Sequence, residues 1–148
     1  MGAGIMLVCG DKVLIIKRSK YKHDRFSEYW NFPGGKGDRE ESHYNTAIRE
    51  TYEETSIDSS QYQIVNHIAT RYYTMYIAII DREVVPILDH EHTDWKWVSI
   101  DTIPLISNQL HPKDWVSYKK YYKIYEFLKR TLLRIAINLK LPHLKVNT

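Results

Sequence analysis

Two apolar runs open the chain, GIMLVC and KVLIIKR, on either side of Gly10-Asp11. Aliphatic and β-branched residues flanking a short glycine turn predict a β-hairpin over Gly4–Lys17. The segment Ser19–Tyr29 is polar and aromatic without a strand or helix period, which predicts a loop lying over a site. WNFPGGKGDREE follows, and its one proline and three glycines exclude a regular helix and favour sharp turns with exposed backbone amides. From Ser42 to Thr55 the period becomes helical. Tyr44, Ala47, Ile48 and Tyr52 form one apolar stripe, Ser42 suits the N-cap, and the other side is acidic.

Strand patterns then return at Tyr62–Ala69, Tyr72–Ile80 and Trp95–Ser99, with the stretch from Asp81 to His92 read as a loop holding a short edge strand. From Pro112 onward Trp115, Tyr118, Tyr122, Tyr125, Leu128 and Leu132 recur every three or four residues. That spacing predicts a long amphipathic helix, a C-terminal extension over residues 112–141. Strands, helix, strands, helix in this order predict an α/β fold, a mixed sheet sandwiched between helices as α/β/α.

A chain of 148 residues that is 43% hydrophobic predicts one domain over residues 1–148 with a substantial core. The one cysteine, Cys9, rules out an internal disulfide and a multi-cysteine zinc site, and its apolar run makes it a buried thiol. The N-terminus lacks the basic leader and cleavage site of a signal peptide, so the expected location is cytoplasmic. Net charge is +3, but nine basic residues lie between Lys113 and Lys145 while Asp38–Asp58 is mainly acidic. This polarity suits a polyanionic small substrate bridged by cations, and it also suits RNA. Leu132–Leu141 is apolar over more than a stripe yet carries Arg134 and Lys140. It is too short to span a membrane and suits packing or a homodimer.

The densest chemistry lies in GKGDREESHYNTAIRETYEETSI, Gly35–Ile57. Glu50, Glu53 and Glu54 stand three and four apart, so one helix face presents three carboxylates near a common point. Crowded like charges cost stability unless compensated, and a hard divalent cation with oxygen ligands, Mg2+ or Mn2+, is the natural compensation. The glycine loop before them offers a backbone carbonyl. A solvated acidic face, with Arg49 and Glu53 as a simple helix ion pair, is the alternative reading of the same spacing. His90 and His92 flank Glu91 without a third soft ligand and read as loop histidines.

This stretch closely resembles the Nudix hydrolase signature: a glycine, five residues, a glutamate, seven residues, arginine-glutamate, an apolar residue, any residue, two glutamates, any residue, a glycine and an apolar residue. Gly35, Glu41, Arg49, Glu50, Glu53, Glu54 and Ile57 fall in place, while Thr51 stands for an aliphatic residue and Ser56 for the glycine. The resemblance implies a Nudix-type fold and metal-dependent hydrolysis of a diphosphate linkage. It implies Glu53 and Glu54 as principal metal ligands, Glu50 as a further ligand or the group orienting water, and the Gly35 carbonyl as an additional ligand. Glu41 and Arg49 become structural residues that brace loop against helix. Glu91, with Asp94 beside it, is the candidate for a further carboxylate entering the site before the late strand.

WNFPGGK and the later WVSIDTIP with HPKDW resemble segments of the nucleoside triphosphate pyrophosphohydrolases that remove oxidised purine nucleotides. The resemblance implies Asn31 and Asp114 reading a base beside Trp115. Lys36 and Arg18 are the candidates for phosphate. The competing reading makes Asn31 a turn residue, Asp114 a charge at a helix start and Trp115 a core residue. Expected substrates are nucleoside triphosphates or other nucleoside diphosphate derivatives. RNA 5′ ends or caps are the alternative, and a noncatalytic nucleotide-binding module is the third.

Overall fold

The computed structural model describes residues 1–139. Seven strands form one sheet: β1 (Gly2–Cys9), β2 (Lys12–Arg18), β3 (Trp30–Asn31), β4 (Gly34–Lys36), β5 (Tyr62–Ala69), β6 (Tyr73–Ile80) and β7 (His92–Ser99). Two helices, α1 (His43–Thr55) and α2 (Pro112–Asn138), cover opposite faces, and a kinked 3-10 segment, Ile100–Gln109, leads into α2. The α/β/α sandwich expected from the pattern is present. Residues 140 and 141 of the anticipated terminal helix lie outside the described residues.

Alternation along the strands sorts the core into two layers. Ala3, Ile5, Leu7, Leu14, Ile16, Ala78 and Ile80 pack with Ala47 of α1, whereas Met6, Val8, Val13, Ile15, Met75 and Ile77 pack with Tyr118 of α2 and Ile100 and Ile103 before it. Together these layers bury the aliphatic surface that drives folding.

The first hairpin is split. β1 and β2 pair only beside their turn, at Val8 with Val13 and Cys9 with Lys12. Beyond that point the same edge of β1 pairs with β4 and that of β2 with β3, while along their other edges β1 runs parallel to β6 and β2 antiparallel to β7. The Trp30–Lys36 segment occupies the opening, and the Pro33 carbonyl accepts the Ile5 amide at 2.9 Å. Glycines and a proline there make two short strands, β3 and β4, where the sequence read only as turns.

Four further expectations are corrected. The buried face of α1 carries Thr46, Ala47, Thr51, Glu54 and Thr55, while Tyr44 and Tyr52 are 49% and 54% exposed. The helix is rotated by about one residue, roughly 100°, from the apolar stripe. Between Asp81 and Glu91 no strand forms: this stretch runs irregularly along the end of α1, tied by the Ile87 amide to the Thr55 carbonyl at 2.9 Å. β7 begins at His92, three residues before the anticipated Trp95, so His92 is a strand residue and not part of a loop. Cys9 is only half-buried, and burial together with nearby acids raises its thiol pKa.

Candidate active site

α1 starts at an N-cap made by Ser42, whose hydroxyl accepts the Asn45 amide at 3.1 Å. It ends at Ser56, which takes the left-handed conformation with φ 61° where the signature has glycine. Between these caps the helix directs Glu50 and Glu54 at the glycine strand β4. Glu54 is buried, and its Oε1 accepts the Gly34 amide at 2.7 Å. A Cβ on Gly35 would stand 2.6 Å from the Glu50 carboxyl carbon, so only glycine lets this carboxylate approach the strand. Glu53 remains 53% exposed.

Arg49 gathers the charges around it. Its Nε and Nη2 donate to Glu41 at 2.8 and 3.0 Å, Nη2 also donates to the Lys36 carbonyl at 3.1 Å, and Nη1 reaches Glu50 and Glu53, each at 3.1 Å. Glu41 also accepts from the Thr46 hydroxyl and the Asp38 amide. Hydrogen bonds from Arg49, Thr46 and the Asp38 backbone hold its carboxyl pKa down at about 2. The loop is thereby fastened to the helix.

Burial pushes the Glu50 pKa up, opposed by Arg49 and reinforced by Glu53 and Glu91. Glu54 is pushed well above the usual carboxylate range, first by burial and then by the charges of Glu50 and Asp89, against the Gly34 amide. Two adjacent carboxylates that resist ionisation fit a site whose compensating charge comes from a cation.

Asp89 and His92, which sequence reasoning missed, complete the cluster. His92 Nδ1 lies 2.8 Å from Asp89 Oδ1, and its Nε2 lies 3.4 Å from Glu54 Oε2 without a hydrogen bond between them. Burial lowers the His92 pKa despite Asp89. A β-bulge explains its direction: β2 pairs Lys17 with Asp94 but Arg18 with His92, so Thr93 is the extra residue. The bulge turns His92 onto the face of Trp95 and Trp97, the α1 face, where strict alternation would have sent it to the other.

A second cluster meets at Phe32. Asp114 of α2 is fully buried and accepts the Phe32 amide through Oδ2 at 3.2 Å, while the buried Asn31 amide donates to the Phe32 carbonyl at 2.9 Å. Asn31 Oδ1 and Asp114 Oδ1 have no partner. Burial raises the Asp114 pKa to about 7, against the pull of Lys113 and the Phe32 amide. Tyr73, also missed, is buried, with an unpartnered hydroxyl filling the space against Gly4 and Gly34. Lys113 lies 4.6 Å over its ring.

The other sequence candidates flank these clusters, and Glu91 is near enough to Glu50 and His92 to raise the pKa of each. Arg18 is paired with Asp24 at 2.6 Å. Lys36 is exposed at the end of β4. Glu91 and Asp94 are exposed; the Glu91 carbonyl accepts the Ser19 amide at 2.7 Å, and Asp94 Oδ1 accepts the Trp95 amide at 2.8 Å. Trp115 is half-buried, stacked on Tyr118 with Lys119 5.3 Å from its ring centre.

A family profile described as NUDIX domain matches residues 1–123. Among solved structures, RenU, a Nudix hydrolase from M. smegmatis, has a TM-score of 0.75 at 20% identity, covering 85% of each chain. An Ap4A hydrolase from C. elegans in a binary complex has a TM-score of 0.68 at 22% identity, covering 84% of this chain and 97% of that one. A MutT NUDIX hydrolase from Burkholderia pseudomallei has a TM-score of 0.59 at 21% identity, covering 80% of this chain and 94% of that one. At such identities the structural likeness is one of fold.

Proposed function

The chain belongs to the Nudix family of pyrophosphohydrolases, and within it we propose that it hydrolyses nucleoside triphosphates to a monophosphate and pyrophosphate with a divalent cation, Mg2+ or Mn2+. The observation that carries the reaction class is the meeting of the signature helix with β4, where Glu50 and Glu54 approach Gly35 and Gly34. Glu50, Glu53 and Glu54, with the Gly35 carbonyl, are the residues that would hold the ion. When bound, the cation neutralises phosphate oxygens and lowers the pKa of water, which supplies the nucleophile.

The chain's own groups have distinct tasks in this reading. Glu50 orients the attacking water, whose oxygen joins phosphorus as the P–O bond to the departing pyrophosphate breaks. Lys36 and Lys113 meet phosphate, since the Arg18 guanidinium is engaged by Asp24. Glu41 and Arg49 keep the loop in register with the helix. Asn31 and Asp114, each with a free oxygen beside Phe32, support a purine as the base, beside Trp115. A protonated Asp114 donates a hydrogen bond and an ionised one only accepts.

The test is a substrate panel at one ionic strength: ordinary and oxidised purine triphosphates, pyrimidine triphosphates, nucleotide sugars, triphosphorylated RNA and capped RNA. Free triphosphates are expected to give the highest kcat/KM, with activity lost on chelation and in folded Glu53→Gln and Glu54→Gln variants. Asn31→Ala and Asp114→Ala should lose more on purines than on pyrimidines, and Lys36→Ala equally on both. A preference for either RNA would replace this substrate assignment with RNA-end hydrolysis. No turnover of any substrate would leave nucleotide binding alone.

A further inference from the structure

The loop before β7 and the first residue of that strand bring two groups to Glu54 that the signature does not contain. One ligand atom each from Glu54, Asp89 and His92 lies within 4.8 Å of the others. The His92 and Glu54 side chains are 1% and 4% exposed. An ionised Asp89 only accepts, so its 2.8 Å contact takes the Nδ1 proton and leaves Nε2 as a bare lone pair. That lone pair faces Glu54 Oε2 and has no hydrogen-bond partner.

Two acceptors facing each other away from water are unfavourable unless something positive lies between them. The separation decides which positive species fits. A proton shared between ring nitrogen and carboxylate draws them to about 2.7–2.9 Å. Two ligand atoms each about 2.1 Å from one ion lie about 3.0 Å apart at a right angle and about 3.4 Å apart at a tetrahedral angle. The observed 3.4 Å is longer than a shared proton gives and leaves room for a cation between the two atoms.

We propose that His92 Nε2 is a nitrogen ligand of the divalent ion held by Glu54, with Asp89 fixing the ring through Nδ1, so that the centre prefers Mn2+ and other first-row transition ions to Mg2+. Imidazole raises affinity for transition ions far more than for Mg2+, which takes oxygen ligands, and a carboxylate behind a metal-binding histidine fixes its tautomer and basicity. The inference rests on the reading above that Glu54 holds a divalent ion, and it adds an element preference that an all-carboxylate site lacks.

The experiment uses the full chain, stripped with chelator and titrated with Mn2+ and Mg2+ by calorimetry, together with pulsed EPR of the Mn2+ protein. A directly bound imidazole nitrogen is expected in the EPR of the unaltered protein, its modulation changing on 15N labelling. His92→Gln should remove that coupling and lower the ratio of Mn2+ to Mg2+ affinity at least tenfold. Asp89→Asn should weaken Mn2+ binding by about tenfold while keeping the coupling. Mn2+ bound without nitrogen coupling in the unaltered protein, but lost in Glu54→Gln, would overturn the inference and leave the proposed function standing. Failure of the unaltered protein to bind either ion would overturn both. Because the EPR reads the unaltered chain, the result does not depend on the variants folding.

Discussion

Replacing Thr51 by valine should stabilise the protein by about 1–2 kcal/mol. Thr51 is fully buried on the inner face of α1, and its Oγ1 has no hydrogen-bond partner. A buried hydroxyl without a partner costs about 1–3 kcal/mol of lost hydration, whereas valine places a methyl group of nearly the same shape there. The Thr51 carbonyl keeps its 2.6 Å bond from the Thr55 hydroxyl, because that contact uses only backbone of residue 51. Helix propensity differs little between the two residues. In urea unfolding the midpoint should rise at constant slope, and Tm should rise by roughly 2–8 °C for a chain of this size. Thr51→Ser is the control: it keeps the hydroxyl, loses a buried methyl and should cost about 1 kcal/mol. A Thr51→Val protein no more stable than the parent would mean that the hydroxyl has a native partner and would refute the reasoning.

Three other perturbations follow from the same structure. Ser56→Gly should add about 0.5–1 kcal/mol in chemical denaturation, since glycine occupies the left-handed cap at φ 61° without the Cβ penalty; the weak 3.3 Å contact from the Ser56 hydroxyl to the Ile87 carbonyl is the only bond lost. Gly35→Ala should fold normally but bind Mn2+ at least tenfold more weakly by calorimetry, because the new Cβ displaces the flexible end of Glu50; unchanged affinity would remove Glu50 from the metal set. For Asp114, the folded pKa of about 7 lies above the unfolded 3.8, so the native state binds more protons between these values. Its stabilising contribution is fully present below about pH 4 and is lost as pH rises through 7, at up to 1.4 kcal/mol per pH unit; Asp114→Asn should flatten urea midpoints across pH 5–7.5, and parallel profiles for both proteins would contradict this.

The five longer strands and both helices were legible because each carries its own period, and Arg49, Glu50, Glu53 and Glu54 were legible because their spacing is fixed within one helix. The orientation of α1 was not. Its apolar stripe suggested that Tyr44 and Tyr52 would be buried, yet the fold turns Glu50 and Glu54 inward to meet β4 and accepts Thr46, Thr51 and Thr55 in the core alongside them. His92 was hidden for a different reason. One extra residue, Thr93, reverses the facing of everything before it in β7, and nothing in the composition of that segment marks a bulge. Asp89 and Tyr73 reach the site only through long-range packing, which no local pattern encodes.

Arg49 holds two kinds of partner with different parts of one guanidinium. Nε and Nη2 grip Glu41 and the Lys36 carbonyl, while Nη1 is shared between Glu50 and Glu53. The carboxylates therefore already possess a resident counter-ion, and under the proposed metal assignment a divalent ion would compete with Nη1 for them. Metal uptake would then be an exchange of one positive partner for another, with the displaced one kept at hand by Glu41. Such an arrangement would trade intrinsic affinity for a metal-free protein in which part of the carboxylate charge is still offset.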